Sequence, residues 1–273
     1  MASGSARCIA PPSRRSDSRS PTTTRSRVRA WSAVGLAFFA VAAAACGGED
    51  SSSSDEQAQS TTTTVTQAEV APADCSAKVD NRFVPLTSVK LSIFRGSERA
   101  DEGDEMVATR VEQRVQEKTA TIAGFPVRVV QVKDFEGGEL VEQTLDYYTQ
   151  CGDGSVWYVG EKVNDIEEGK VVSHGGQWLA GVGGAKAGLF MPAEPKVDET
   201  FQQERAPGVA EDRSTVVADD VETTTPAGKF TGCIRTKDFA PIDNTTEFKI
   251  YCPDVGLVRE ELTAGGSELV RYE

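Results

Sequence analysis

From residue 75 to the C-terminus, apolar residues recur at every second position or in short Val-rich runs, and pairs of glycines interrupt them. A period of two belongs to strands, whose successive side chains point to opposite faces of a sheet. Val89-Lys-Leu-Ser-Ile93 alternates strictly. Residues 106–115 are ambiguous, because Val107, Val111 and Val115 also fit one face of a helix, and their β-branched content favours a strand. Residues 125–135 and 140–150 flank Glu136-Gly-Gly-Glu139, a hairpin signal. Cys151-Gly-Asp-Gly154 turns the chain into a further strand at 155–160, and Glu167-Glu-Gly169 separates 163–166 from 170–173. Three consecutive hairpins make an antiparallel meander.

Residues 177–192 break the pattern: they are glycine-rich, apolar at both ends and without strand period, which predicts an ordered loop folded over the sheet. Strand patterns resume at 200–204, 213–218, 229–237, 247–252, 257–263 and 269–272. The expectation is an all-β fold of about eleven or twelve strands, an antiparallel meander forming a curved sheet or partial barrel. Residues 75–273 suffice for one domain with its own core.

The stretch ahead of this domain has another character. Residues 31–45 form an uncharged apolar run that follows Arg25, Arg27 and Arg29 and ends with Ala43, Ala44 and Ala45 before Cys46 and Gly47-Gly48. That is the order of a bacterial lipoprotein signal: a basic region, an apolar region, small residues that admit the peptidase, then a thiol for diacylglycerol. An uncleaved membrane anchor is the weaker alternative, since the run falls short of the about 20 apolar residues a spanning helix needs. A core helix would not carry such an Ala run before Gly-Gly. Residues 1–45 therefore read as signal peptide, with Cys46 the lipidated first residue of the mature chain. Residues 1–30 are long for the basic region of a leader, and a translation start nearer Val28 would restore the usual length. Residues 46–74 carry Ser51-Ser-Ser-Ser54, Thr61-Thr-Thr-Thr64 and several acids without apolar periodicity. Such a segment buries too little surface to offset its ordering entropy, and reads as a tether. The expected location is the cell membrane, lipid-anchored and facing outside the cytoplasm.

Charge narrows the partners. The whole chain carries −13, from 29 basic and 42 acidic residues, and the signal removes seven of the former and one of the latter, leaving a mature charge of −19. A surface that acidic repels phosphate backbones, so nucleic acid is excluded as a partner. Four cysteines remain after Cys8 is discarded and Cys46 acylated, which in an exported protein predicts two disulfides. Should 230–237 and 246–252 pair around a turn near Pro241-Ile-Asp-Asn244, Cys233 falls almost opposite Cys252, leaving Cys75 for Cys151. No Cys-x-x-Cys is present, which argues against a thioredoxin-like site and a common zinc site.

Three segments carry a resemblance. They are Trp178-x-Ala-Gly-x-x-Gly-Ala-x-x-Gly-Leu-Phe-Met-Pro-Ala-x-Pro-x-Val197, Thr225-Pro-Ala-Gly-x-Phe230 and Tyr251-Cys-Pro-Asp-Val-Gly-Leu-Val258. Together with 140–158 and Asn81-Arg-Phe-Val-Pro-Leu86, they resemble an uncharacterised family of exported bacterial lipoproteins of actinobacterial type. Where that family has glycine, this chain has Asp198 and Asp254. The resemblance implies export and no catalytic residues.

Candidate chemistry is sparse. The single histidine, His174, stands beside Gly175-Gly176 with no nucleophile motif nearby, and reads as an exposed loop residue. Gly181-Val-Gly-Gly-Ala-Lys-Ala-Gly188 lacks the Gly before its lysine and the Ser or Thr after it that a phosphate loop requires. Asp101-Glu-Gly-Asp-Glu105 and Asn164-Asp-Ile-Glu-Glu168 lack the ligand spacing of a calcium loop and read as solvated turns. With so many acids some carboxyl pair always falls close, which makes glycosidic chemistry a weakly specified reading. Tyr147, Tyr148, Trp157, Tyr158 and Trp178 cluster in the meander and the segment after it. Of these, Trp157, Trp178 and Tyr148 are the candidates to line a cavity. The expectation is a non-enzymatic, membrane-anchored lipoprotein without cofactor, holding an apolar ligand in a sheet concavity capped by 181–192. An envelope interaction module and an unrecognised hydrolase are the alternatives.

Overall fold

The computed structural model describes residues 69–99 and 104–273. The stretch read as a signal, Cys46, most of the stretch read as a tether and residues 101–103 of the acidic stretch lie outside the described residues. After a 3-10 turn at Pro72–Asp74, the chain forms β1 (Cys75–Ser76), β2 (Leu91–Glu98), β3 (Val107–Ile122), β4 (Phe125–Glu136), β5 (Glu139–Cys151), β6 (Val156–Glu167) and β7 (Lys170–Ser173). Two short strands follow, β8 (Trp178–Leu179) and β9 (Gly188–Met191). The remainder is β10 (Thr200–Gln202), β11 (Arg213–Thr225), β12 (Gly228–Ala240), β13 (Thr245–Cys252), β14 (Gly256–Leu262) and β15 (Gly265–Tyr272). Among the described residues no helix is long and apolar enough to cross a membrane.

All fifteen strands belong to one antiparallel sheet, ordered β10-β11-β12-β13-β14-β15-β2-β3-β4-β5-β6-β7, with β1 on β5 and β8 and β9 on β6. Every neighbour in the long path except β15–β2 is also a neighbour in sequence, so tight turns set most of the pairing. The sheet curls but does not close as a ladder. Its two ends meet where Lys186 bridges Arg205 and Gln203 Nε2 donates to the Phe190 carbonyl at 3.2 Å. Backbones approach very closely here, and a Cβ on Gly188 would overlap the Gln203 carbonyl oxygen. The seam requires glycine at that position.

The segment 177–192 departs from the expected loop. It forms β8 and β9, which add to β6 and extend the barrel wall instead of capping its mouth. Strand period is unreadable there because each strand spans four residues or fewer.

Parity decides which core each residue serves. On β4, Phe125, Val127 and Val129 face outward into a cluster with Tyr147, Trp157, Val159 and the β8–β9 segment. Val130 and Val132 face inward, against Phe94, Val111, Ile250 and Leu269. One strand thus feeds two cores through alternate residues. The expected disulfides are both present, Cys75–Cys151 and Cys233–Cys252. The first joins directly opposed residues of β1 and β5, and the second extends the register in which Ile234 faces Tyr251. Asp198 and Asp254 take φ of 70° and 63°. That left-handed conformation is one glycine adopts without strain and aspartate tolerates, which accounts for either residue at these two turns.

Candidate functional site: an acid-lined chamber in the barrel

The curled sheet surrounds a chamber of about 120 Å³ that opens to solvent at its mouth. One wall is mostly apolar: Leu91, Val115, Val130 and Val132 from β2–β4, with Ser92 and Gln113 between them and Phe83 to Leu86 from the segment preceding β2. The other is aromatic and acidic. Tyr148, Tyr158, Phe190 and Tyr251 supply rings, and Asp146, Glu204, Asp212, Asp238 and Glu247 supply carboxyls beside Lys249.

Tyr148 stacks on Tyr158 with centroids 4.8 Å apart and meets Phe190 edge-on at 5.0 Å. Tyr148 and Phe190 keep part of their surface uncovered although both stand in the chamber wall. Of the three cavity candidates, Tyr148 lines the chamber and the two tryptophans do not. Trp157 follows the opposite parity from Tyr158 and packs in the outer cluster, its Nε1 donating to Ser155 Oγ at 2.8 Å. Trp178 backs onto Tyr158 edge-on at 5.5 Å, among Ala185, Ala206 and Ala210. It buttresses the aromatic wall from behind.

Lys249, its side chain 12% exposed, grips three acids: Glu247 at 2.6 Å, Asp238 at 3.3 Å and Glu260 at 3.8 Å. Burial alone would lower its pKa, but Glu247 and Asp238 outweigh burial and hold the ammonium well above the lysine range. Asp238 also accepts from Ser214 Oγ at 2.5 Å. Asp146, Glu204 and Asp212 form no ion pair among the described contacts, although Asp146 accepts from Thr144 Oγ1 at 2.6 Å. Burial pushes Asp146 up to about 7, against the opposing pull of hydrogen bonds from Thr144 and Tyr148. Burial pushes Asp212 up to about 8, with Glu247 and Asp238 adding repulsion and Lys249 opposing it. Glu204 is raised well above the carboxylate range by burial and then by Asp212, and its Oε2 has no hydrogen-bond partner.

A second acid group lies along the same inner face, outside the chamber lining. Asp134 on β4, Glu142 on β5 and Asp165 on β6 stand directly opposite one another across three strands. Burial pushes Glu142 up to about 8, with Asp165 and Asp146 adding repulsion. Asp134 is raised by burial and then by Glu142, and neither of its carboxyl oxygens has a partner.

Of the other sequence candidates, Asp165 from the acidic 164–168 stretch stands on β6 in this second group and not in a solvated turn, while His174 and Lys186 stay apart from the interior. His174 is exposed after β7, its Nδ1 2.7 Å from the Val163 carbonyl. Lys186 pairs with Glu69, and a strand, not a helix, follows the glycine turn. The interior acids escaped sequence reading because a carboxylate in an alternating strand reads as a solvent-facing residue. The one available signal was the inward parity of Glu142, Thr144, Asp146 and Tyr148. Comparison with protein-family models, curated proteins and solved structures finds no match for this chain.

Proposed function

We propose that this protein is a non-enzymatic lipoprotein of the cell envelope, anchored through Cys46, whose barrel chamber holds a small-molecule ligand. The chamber itself carries the reading: a domain built only for stability would fill that space with side chains, since native interiors pack to the density of organic crystals. The uncovered faces of Tyr148 and Phe190 and the apolar wall opposite supply a surface of the kind ligand sites use. The leader pattern ahead of Cys46 and the acidic mature charge support the location, and the resemblance to exported bacterial lipoproteins agrees with it.

The raised carboxyls favour acid–base hydrolysis as a second reading, because shifted acids gather at active sites. Two-carboxyl catalysis, however, needs environments that push one pKa up and leave its partner ionised. Asp146, Glu204 and Asp212 are all pushed the same way, and the other chamber acids, Asp238 and Glu247, are tied up by Lys249. Binding is therefore the better account.

Native mass spectrometry of the protein purified from its own envelope tests the proposal. A retained small molecule, lost in a Tyr148→Ala variant, is the expected result, and a chain that carries nothing and takes up no added ligand refutes it. Fractionation of a Cys46→Ser variant tests the anchor: release from the membrane is expected, and unchanged retention refutes lipidation there.

A further inference from the structure

We propose that the ligand is a small organic cation with an apolar body, its ammonium held by Glu204, Asp146 and Asp212 against the rings of Tyr148 and Phe190. This rests on the reading that the chamber holds a ligand, and names its class.

The charge inventory of the chamber does not balance. Five carboxyl side chains line it against two ammonium groups, Lys90 and Lys249. Lys90 is exposed and donates to the Leu86 carbonyl at 2.8 Å. Lys249 is committed to Glu247, Asp238 and Glu260. No lysine or arginine forms an ion pair with Asp146, Glu204 or Asp212 among the described contacts. Glu204 is the informative one, because it is 3% exposed, lines the chamber and leaves Oε2 unpartnered. A buried acceptor without a donor costs about 1–3 kcal/mol, and more when charged. An entering ammonium would supply the donor that Glu204 Oε2 lacks and neutralise the acids beside it.

The surrounding chemistry narrows the cation. Among the described residues no group of three His, Cys, Asp or Glu side chains is arranged to hold a metal ion. The wall from β2–β4 is mostly aliphatic, with Leu91, Val115, Val130 and Val132 interrupted by Ser92 and Gln113. Its aliphatic side chains suit an alkyl body. Ring faces beside the carboxyls suit an alkylated ammonium, which is attracted to aromatic faces within about 6 Å of the ring centroid. An anion or a fatty acid would instead meet a wall of carboxyls. The limited free space admits a short chain and a compact head.

The test uses three probes of one chain length, hexyltrimethylammonium, 1-hexanol and hexanoate, titrated calorimetrically at pH 8 into the purified full chain. The expected result is cation binding at least tenfold tighter than hexanol, with no hexanoate binding. Glu204→Gln should abolish the preference for the cation and leave hexanol binding unchanged. Should that variant not fold, Asp212→Asn replaces it, with the same expected loss. Equal binding of cation and hexanol overturns the inference while leaving the ligand-binding proposal standing. Binding of none of the three, together with an empty protein by native mass spectrometry, removes both. Cation binding unaffected by either acid variant also overturns it, because the ammonium then sits elsewhere.

Discussion

Replacing Glu142 by glutamine removes one ionisable group from the inner face while keeping its shape. In the folded protein Glu142 faces Asp134 on one side and Asp165 on the other, and burial pushes its pKa from 4.5 up to about 8. A carboxyl whose folded pKa lies above its unfolded value binds more protons folded than unfolded. Its stabilising contribution is complete below the unfolded pKa near 4.5 and is lost as pH rises towards about 8. At about 1.4 kcal/mol per pKa unit, the full shift corresponds to stability on the order of 3–5 kcal/mol lost between pH 4.5 and pH 9. Glutamine is neutral throughout, and its amide can donate to Asp165. Urea unfolding of wild type and Glu142→Gln at pH 5 and pH 9 measures the difference. The two proteins should be nearly equal at pH 5, and the variant should be more stable by several kcal/mol at pH 9. A variant destabilised equally at both pH values would refute the claim that Glu142 is an uncompensated buried acid.

Three further outcomes probe other parts of the fold. Lys249→Met leaves Asp238, Glu247 and Glu260 without their cation and should cost about 3–5 kcal/mol at pH 7, read from the shift of the urea midpoint. Removing the Cys233–Cys252 bridge, which spans 19 residues, should cost about 3 kcal/mol, and removing Cys75–Cys151, which spans 76, about 4.5 kcal/mol, compared by unfolding of the paired serine variants. Gly188→Ala forces a Cβ into the Gln203 carbonyl and should cost more than about 2 kcal/mol. Its effect on hydrogen exchange should be concentrated in β9 and β10, where the two ends of the sheet meet.

Much of this protein was written in local pattern. Alternation and glycine turns specify the hairpins of β4 to β7, since each depends on residues a few positions apart, and the Cys233–Cys252 pairing follows from a single hairpin register. The leader proposed to end at Cys46 rests likewise on order along the chain. What tertiary structure alone decided is which face of each strand is enclosed. Bulges such as that between Tyr147 and Tyr148 shift parity, and the curl of the sheet puts Asp146 and Tyr148 inside while Trp157 faces the outer cluster. The same alternation reads as solvent-facing acid when the sheet is taken as flat, and as buried acid once it rolls into a barrel. Two strands far apart in sequence, β15 and β2, join the halves of the sheet only because the chain returns to its start, and no local period records that return. Burial of the carboxyls is therefore a property of the sheet's curl, which depends on the β15–β2 pairing of residues distant along the chain.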